Sequence, residues 1–356
     1  LGDGRPGARG LDPAAAAAEG GAKKPGGRLQ TMPPLITTLT LNPTIDLASE
    51  ADLVQPVRKV RTFNERQDPG GGGVNVSRVL QELGGATCAV ILAGGVTGHF
   101  LEQLLDEAGV PRRSVPIAGR TRISQTVLDR STRQEYRFVP EGPAVAEAEW
   151  QAALAMVEAV ESGWLVASGS LPHGVPTDFY ARAAAIAAKR GLPFVLDTSG
   201  EPLRAALAQG GIALAKPSQG EFEALVGRKL RGPGELEAAA MAVIGEGRLG
   251  LLAVTLGQDG ALLASPEGPL RLPALPVEVR GAVGAGDSFL AAMTLALSRG
   301  AAPRDAFAWG MAAGAAAVSH AGTAHPGRET VEALRRRITQ VPMAPGHADG
   351  TAGAGA

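Results

Sequence analysis

The sequence predicts an α/β protein with a mostly parallel central sheet, helices on both faces, and a small β-sheet lid. Three observations carry this. From residue 74 onward, short apolar runs alternate with amphipathic stretches at helical spacing, the rhythm of a parallel sheet covered on both sides. Odd, polar loops (SGSLPHG, DTSGE, KPSQGE and TLGQDG) follow several of the strand-like runs, where such sheets hold their ligands. Segments near 36–67 and 122–142 instead alternate polar and apolar residues, so one of their faces meets solvent or a ligand.

Taken in order, residues 1–34 are Gly, Ala, Pro and Arg with almost no large apolar side chains, and are predicted to be disordered. Residues 342–356 have the same character, leaving a folded body over 35–341. ITTLTLNPTIDLASEADL reads as a strand, with Thr37, Leu39 and Leu41 on one face. KVRTFNERQ, SQTVLDR and EYRFVPEG also read as strands, the last two joined by a hairpin at STRQ. VNVSRVLQELGG is a helix that stops on glycine. Beyond it, strands at TCAVILAGG, WLVASGS, PFVLDTSG, IALAKPS, LLAVTLG and GALLAS are interleaved with helices. These helices begin near His99, Ala148, Asp178, Glu201, Gln219, Asp287 and Arg304.

The 356 residues are 45% hydrophobic, enough for one large core, and carry a formal net charge of −1. That balance argues against a nucleic-acid partner. The single cysteine, Cys88, excludes an intrachain disulfide and reads as a small buried hydrophobe. Residues 1–34 lack the apolar segment of a secretory signal, and no apolar run is long enough to span a bilayer, so the expectation is a cytoplasmic protein without a membrane partner.

GAVGAGDSF (281–289) places glycines and then an aspartate at the mouth of an apolar helix. Unpaired amides there suit a phosphate. Asp287 would be repelled by a bare phosphate, so it is either a helix cap or a general base that takes a proton from a hydroxyl attacking a held phosphorus. DPGGGGVNVSR (68–78) runs four glycines straight into a helix. It is either a flexible loop or backbone pressed against a ligand, with Asn75 facing polyol hydroxyls. His173 and His99 read as structural, and Asp197 as a strand-end residue ordering nearby loops.

These two signatures, in this order, resemble the PfkB (ribokinase-like) carbohydrate kinases over residues 36–340. NPTID, KPSQGE and VTLGQDGALL resemble the family's remaining motifs, and the set is most similar to the minor-type 6-phosphofructokinases. The resemblance implies a ribokinase-like fold and ATP-dependent phosphorylation of the 1-hydroxyl of D-fructose 6-phosphate. Tagatose 6-phosphate and fructose 1-phosphate kinases are the alternatives, and these typically carry lysine where Gly72 stands. Asp287 would be the base, with Gly284, Ala285 and Gly286 supplying amides to the phosphoryl group. Asp46, Gly71, Gly72 and Asn75 would hold the sugar, and Lys59 and Arg122 its phosphate. Lys216, Ser218, Glu221, Thr255 and Gly257, with Gly284 and Gly286, would line the ATP side. Glu221 would reach Mg2+ through water, and K+ is left open. Ser218 replaces the family's usual asparagine, which implies weaker magnesium or nucleotide handling. A homodimer through the lid is also expected. A sugar-phosphate-binding protein without turnover is the competing class, and an intact Asp287 argues against it. A nucleoside or plain-sugar kinase is a further alternative, which would not need Lys59 and Arg122.

Overall fold

The computed structural model describes residue 2 and residues 34–279, 281, 283–319 and 327–339. The two ends expected to be disordered therefore lie outside the described residues, Gly2 and Pro34 apart. The central sheet has nine strands in the order β13-β12-β11-β10-β9-β8-β1-β4-β5. They are β1 (Ile36–Thr40), β4 (Thr87–Ala93), β5 (Arg112–Pro116), β8 (Trp164–Ser168), β9 (Phe194–Asp197), β10 (Ile212–Ala215), β11 (Leu249–Thr255), β12 (Ala261–Ser265) and β13 (Gly268–Leu272). Every pairing is parallel except those of β12 with β11 and with β13.

Alternation along the strands sends successive side chains to opposite faces, and each face has its own helices. Leu39, Val90, Leu165, Leu196 and Leu252 pack against α3 (Glu147–Glu158), α4 (Phe179–Lys189), α5 (Gly200–Gln209), α6 (Gln219–Val226) and α7 (Glu235–Gly245). Phe179, Tyr180 and Phe222 are fully buried there, each worth about 1.5–3 kcal/mol of apolar transfer. On the other face Ile36, Val166, Val195 and Leu214 meet α1 (Gly72–Glu82), α8 (Ala285–Ser298), α9 (Pro303–Val318) and α10 (Arg328–Thr339). No helix among the described residues is long and apolar enough to cross a membrane.

A second sheet has the order β3-β2-β6-β7, from β2 (Thr44–Ala51), β3 (Phe63–Gly70), β6 (Arg122–Asp129) and β7 (Gln134–Phe138). Ile45 of β2 joins a third apolar cluster with Leu101, Leu104 and Leu105 of α2 (Gly95–Glu107). This sheet is the expected lid, with one correction to its boundaries. ITTLTLNPTIDL is two strands, not one: Ile36–Thr40 is entirely buried between β4 and β8, and only Thr44–Ala51 enters the lid. The chain turns at Leu41-Asn42-Pro43, where proline denies the strand a donor. The lid strand β3 likewise begins only at Phe63, so residues 59–62 lie in the loop before it. Cys88 sits on β4 but is only half-buried, because β4 presents it beside the short neighbour β5.

Candidate active site

The first turn of α8 is the centre of the site. Gly284 caps it with φ at 76°, a left-handed conformation that favours glycine. The amides of Gly284-Ala285-Gly286 open the helix, and Asp287 follows within its first turn. Asn75 of α1 donates from Nδ2 to Asp287 Oδ2 at 2.9 Å, so the carboxylate is held by a second helix packed alongside. Burial pushes the Asp287 carboxyl up to about 6, with the charges of Asp197 and Asp46 adding to the rise and Asn75 and Lys216 opposing it. A carboxylate poised there is a competent base near neutral pH.

The glycine run that precedes Asn75 is a packing device. A Cβ on Gly72 would stand 2.2 Å from Ser168 Oγ, at the end of β8. The start of α1 is thus pressed onto the carboxyl ends of β1 and β8, and Asn75 is delivered to Asp287 from there.

Lys216 follows β10 and is buried, its Nζ 3.2 Å from Asp197 Oδ1 at the end of β9. A Cβ on Gly286 would lie 3.2 Å from that same ammonium, so Lys216 reaches the glycine-led first turn of α8. Burial opposes its charge, yet Asp197 and Asp287 outweigh burial and raise its pKa. Burial also raises Asp197, against the pull of Lys216. The loop that follows is held by Ser218, the N-cap of α6. Its amide and hydroxyl donate to Glu221 Oε2 at 2.7 and 2.8 Å, a capping box. Ser218 also forms a parallel bridge to Thr255, beyond which Gly257 opens a short turn with φ at 59°.

On the lid side, Asp46 faces Asp68 across β2 and β3. Burial and the Asp68 charge push its carboxyl up to about 6, while Arg122, Arg137 and Arg78 pull it down. A Cβ on Gly70 would overlap Asp46 Oδ2, so the carboxylate lies directly on that glycine. Arg122 donates to the carbonyls of Pro140 and Asn42, both at 2.8 Å. Asn42 in turn donates to Glu141 O at 2.8 Å and Ser170 Oγ at 3.2 Å. This knot joins the lid's exit to the ends of β1 and β8. Lys59 lies exposed in the loop between β2 and β3. His173 pairs with exposed Glu141 at 2.7 Å, and His99 leans on the Gly95 carbonyl at 3.2 Å.

The sequence candidates therefore fall into three neighbouring sets, linked by the charges of Asp46, Asp197, Glu221 and Asp287. Residues 39–330 match the pfkB family carbohydrate kinases. The chain belongs to that family.

Among the family's members, the ATP-dependent 6-phosphofructokinase isozyme 2 of Mycobacterium tuberculosis is 43% identical over 301 residues, 84% of this chain and 88% of that protein. The Escherichia coli isozyme 2 is 40% identical over 289 residues, 81% and 94% of the two chains. Crystal structures of Escherichia coli phosphofructokinase-2 cover 86% of this chain and 100% of theirs. The TM-score is 0.84 at 37% identity for the complex with potassium. It is 0.82 at 36% for the complex with fructose-6-phosphate, and again 0.82 at 36% for the tetrameric inhibited form. Arabidopsis thaliana ribokinase shares the fold at 21% identity and a TM-score of 0.67, covering 86% of this chain and 99% of its own. The expected family and the ribokinase-like fold are both borne out.

Sequence reasoning left Asn42 without a role, and treated Asp197 only as a loop-ordering residue. Asn42 stands inside the NPTID motif, but nothing in its type announces contacts to residues 99 and 128 positions away. Asp197 at a strand end was visible, whereas its pairing with Lys216 required knowing that β9 and β10 are neighbours.

Proposed function

We propose that this pfkB-family chain transfers the terminal phosphoryl group of ATP to the 1-hydroxyl of D-fructose 6-phosphate, giving fructose 1,6-bisphosphate and ADP. The observation that carries the reaction is the Asn75-held carboxylate of Asp287 inside the glycine-led turn of α8. The choice of acceptor is supported by the two isozyme 2 relatives at 40–43% identity.

Asp287 takes the proton of the 1-hydroxyl as its oxygen bonds to phosphorus, and the bond from phosphorus to the ADP oxygen breaks. Charge on the transferring group faces the amides of Gly284, Ala285 and Gly286 and the Lys216 ammonium beside Gly286. Asp46, with Gly71, Gly72 and Asn75, lines the sugar side. Arg122 stands beside it at the lid, although two of its donors are already engaged by carbonyls. Lys59, exposed in the loop between β2 and β3, is the second cation offered to the sugar phosphate. Thr255 and Gly257 continue the nucleotide side.

Magnesium, when bound with ATP, would neutralise phosphate charge. Among the described residues no three acidic or histidine groups form a cage, which suits an ion held chiefly by phosphates and water. Glu221 fits as the residue behind that water, since Ser218 engages Oε2 and leaves Oε1 outside those bonds. For K+, the support is the potassium complex of the relative.

The lid leaves β3 and β7 as its edge strands, with Ile123, Phe138 and Val139 exposed. Open edges together with these exposed apolar side chains support a homodimer formed through the lid. Light scattering at micromolar concentration tests this, and a fully active monomer overturns it.

The deciding assay is ATP-dependent turnover of fructose 6-phosphate, tagatose 6-phosphate and fructose 1-phosphate by the purified chain. Preference for fructose 6-phosphate is expected, and no turnover on any of the three refutes the reading.

A further inference from the structure

We propose that Arg78 is a positioning residue for the sugar-phosphate side: it fastens lid strand β3 to helix α1, so that Asp46 keeps a fixed place relative to Asn75 and Asp287. The ligand in this proposal rests on the function proposed above, while the linkage itself rests on the geometry.

Arg78 lies three residues beyond Asn75 on α1, so the two share one side of the helix. Asn75 reaches the carboxylate on α8. Arg78 reaches the other way, to the end of β3. Its Nη1 donates to the Pro69 carbonyl at 3.0 Å and its Nη2 to Asp68 Oδ1 at 3.1 Å. Its side chain is only 12% exposed, so this fork is held inside the protein. The gripped residues immediately precede Gly70, on which the Asp46 carboxylate lies, and Asp68 is the cross-strand partner of Asp46. One short helix segment thus carries both the residue that holds the base and the residue that holds the strand beneath the substrate-side acid. A guanidinium suits this task because its planar fork serves a carbonyl and a carboxylate together, and an ammonium does not.

The same contact has an electrostatic effect. Asp46 faces Asp68 from β3, Arg122 from β6, Arg137 from β7 and Arg78 from α1, with the Asp287 charge on α8 coupled to it. Burial and Asp68 favour its neutral form, and the three arginines favour the carboxylate. Loss of Arg78 removes one of those cations and the partner that offsets Asp68, although Arg66 still bridges Asp68 at 2.7 Å. Asp46 would then hold its proton to higher pH.

The test compares Arg78→Gln and Arg78→Lys with the unaltered protein. The first readout is the carboxyl 13C titration of protein labelled at aspartate, with the Asp46 signal assigned by its disappearance in Asp46→Asn. The second is the pH dependence of KM and kcat for fructose 6-phosphate. In Arg78→Gln the Asp46 midpoint is expected to rise. KM should rise about tenfold and kcat should fall less, because binding energy is lost chiefly from the ground state. Arg78→Lys restores the charge without the fork, so its titration should return towards the unaltered value while KM stays raised. An unmoved Asp46 midpoint in Arg78→Gln overturns the proposal. So does an Arg78→Lys protein that matches Arg78→Gln in both readouts, since that is the result of lost packing alone. The titration needs no turnover, so absence of activity in the unaltered chain refutes the proposed function and leaves this test standing.

Discussion

Replacing Gly72 with alanine should damage the active site through packing alone, before any contact of this residue with the sugar is counted. The new methyl would sit 2.2 Å from Ser168 Oγ, 3.0 Å from the Ser168 carbonyl carbon and 3.1 Å from the Gly169 nitrogen. Comfortable separations between such atoms are about 3.5–4 Å. Rotating Ser168 away would relieve the first contact at the expense of its 3.5 Å approach to Asp197, but the two backbone contacts would remain. The start of α1 must therefore retreat by up to about 1 Å, an overpacking penalty of about 1–3 kcal/mol. Asn75 rides on the same turn, 2.9 Å from Asp287, so the carboxylate proposed as the base loses its fixed partner. A misplacement of that size can lower turnover about a hundredfold. Urea unfolding and steady-state turnover on Gly72→Ala, Ser168→Ala and the double variant measure both effects. Removing Oγ should recover part of the loss, with a coupling of about 0.5–3 kcal/mol. A Gly72→Ala protein with ordinary stability and turnover would refute the claim that this contact sets the start of α1.

Asp287→Asn should lower kcat by about 10²- to 10⁴-fold while sugar phosphate still binds by calorimetry, and retained turnover would remove Asp287 as the base. Since Asp287 and Asp46 are both raised to about 6 and both act as carboxylates in the proposed reaction, activity should be full above that pH and fall as pH drops through it. A kcat/KM profile that stays flat down to pH 5 would contradict this. Lys216→Met leaves Asp197 buried without its cation and should destabilise the fold by about 3–5 kcal/mol in chemical denaturation, with much of the loss recovered in the double variant with Asp197→Asn. Ser218→Ala should cost about 1 kcal/mol through the lost helix cap, whereas Ser218→Asn keeps a cap and should alter the magnesium dependence of the rate. An unaltered magnesium dependence would dismiss serine as a handicap.

The sheet-and-helix rhythm, the glycine-led turn and Asp287 were all legible in the sequence, because each is a local pattern with a local physical cause. The buried strands around Val166, Val195 and Leu214 announced themselves as apolar runs, whereas the capping box of Ser218 and Glu221 was readable from their spacing and was not used. Short elements escaped: Arg112–Pro116 carries two arginines in five residues, and Gly268–Leu272 is half-exposed and opens on glycine. Glu235–Gly245 is rich in alanine, which weakens any periodic signal, and Arg328–Thr339 is dominated by arginine and other polar residues. The split of the first strand at Leu41-Asn42-Pro43 was readable from the proline and was not used. Partnerships across the fold were beyond reach. The resemblance offered Arg122 to the sugar phosphate, but its bonds to the Pro140 and Asn42 carbonyls were not readable, because only the folded lid brings those segments near.

The pairing of β2 with β6 bears on how the protein is made. Thr44 and Ser124, joined by a 3.0 Å hydrogen bond, are 80 positions apart, and β1 waits for β8 to complete its second side. A chain emerging from the ribosome therefore has no lid until β6 has been synthesised, and its first strand stays half-paired until β8 follows. The Asn75–Asp287 contact spans 212 positions, a loop that closes only near the end of synthesis. Recovery of turnover during refolding should thus trail the recovery of helical signal, and fragments that end before α8 should acquire structure without ever acquiring a base.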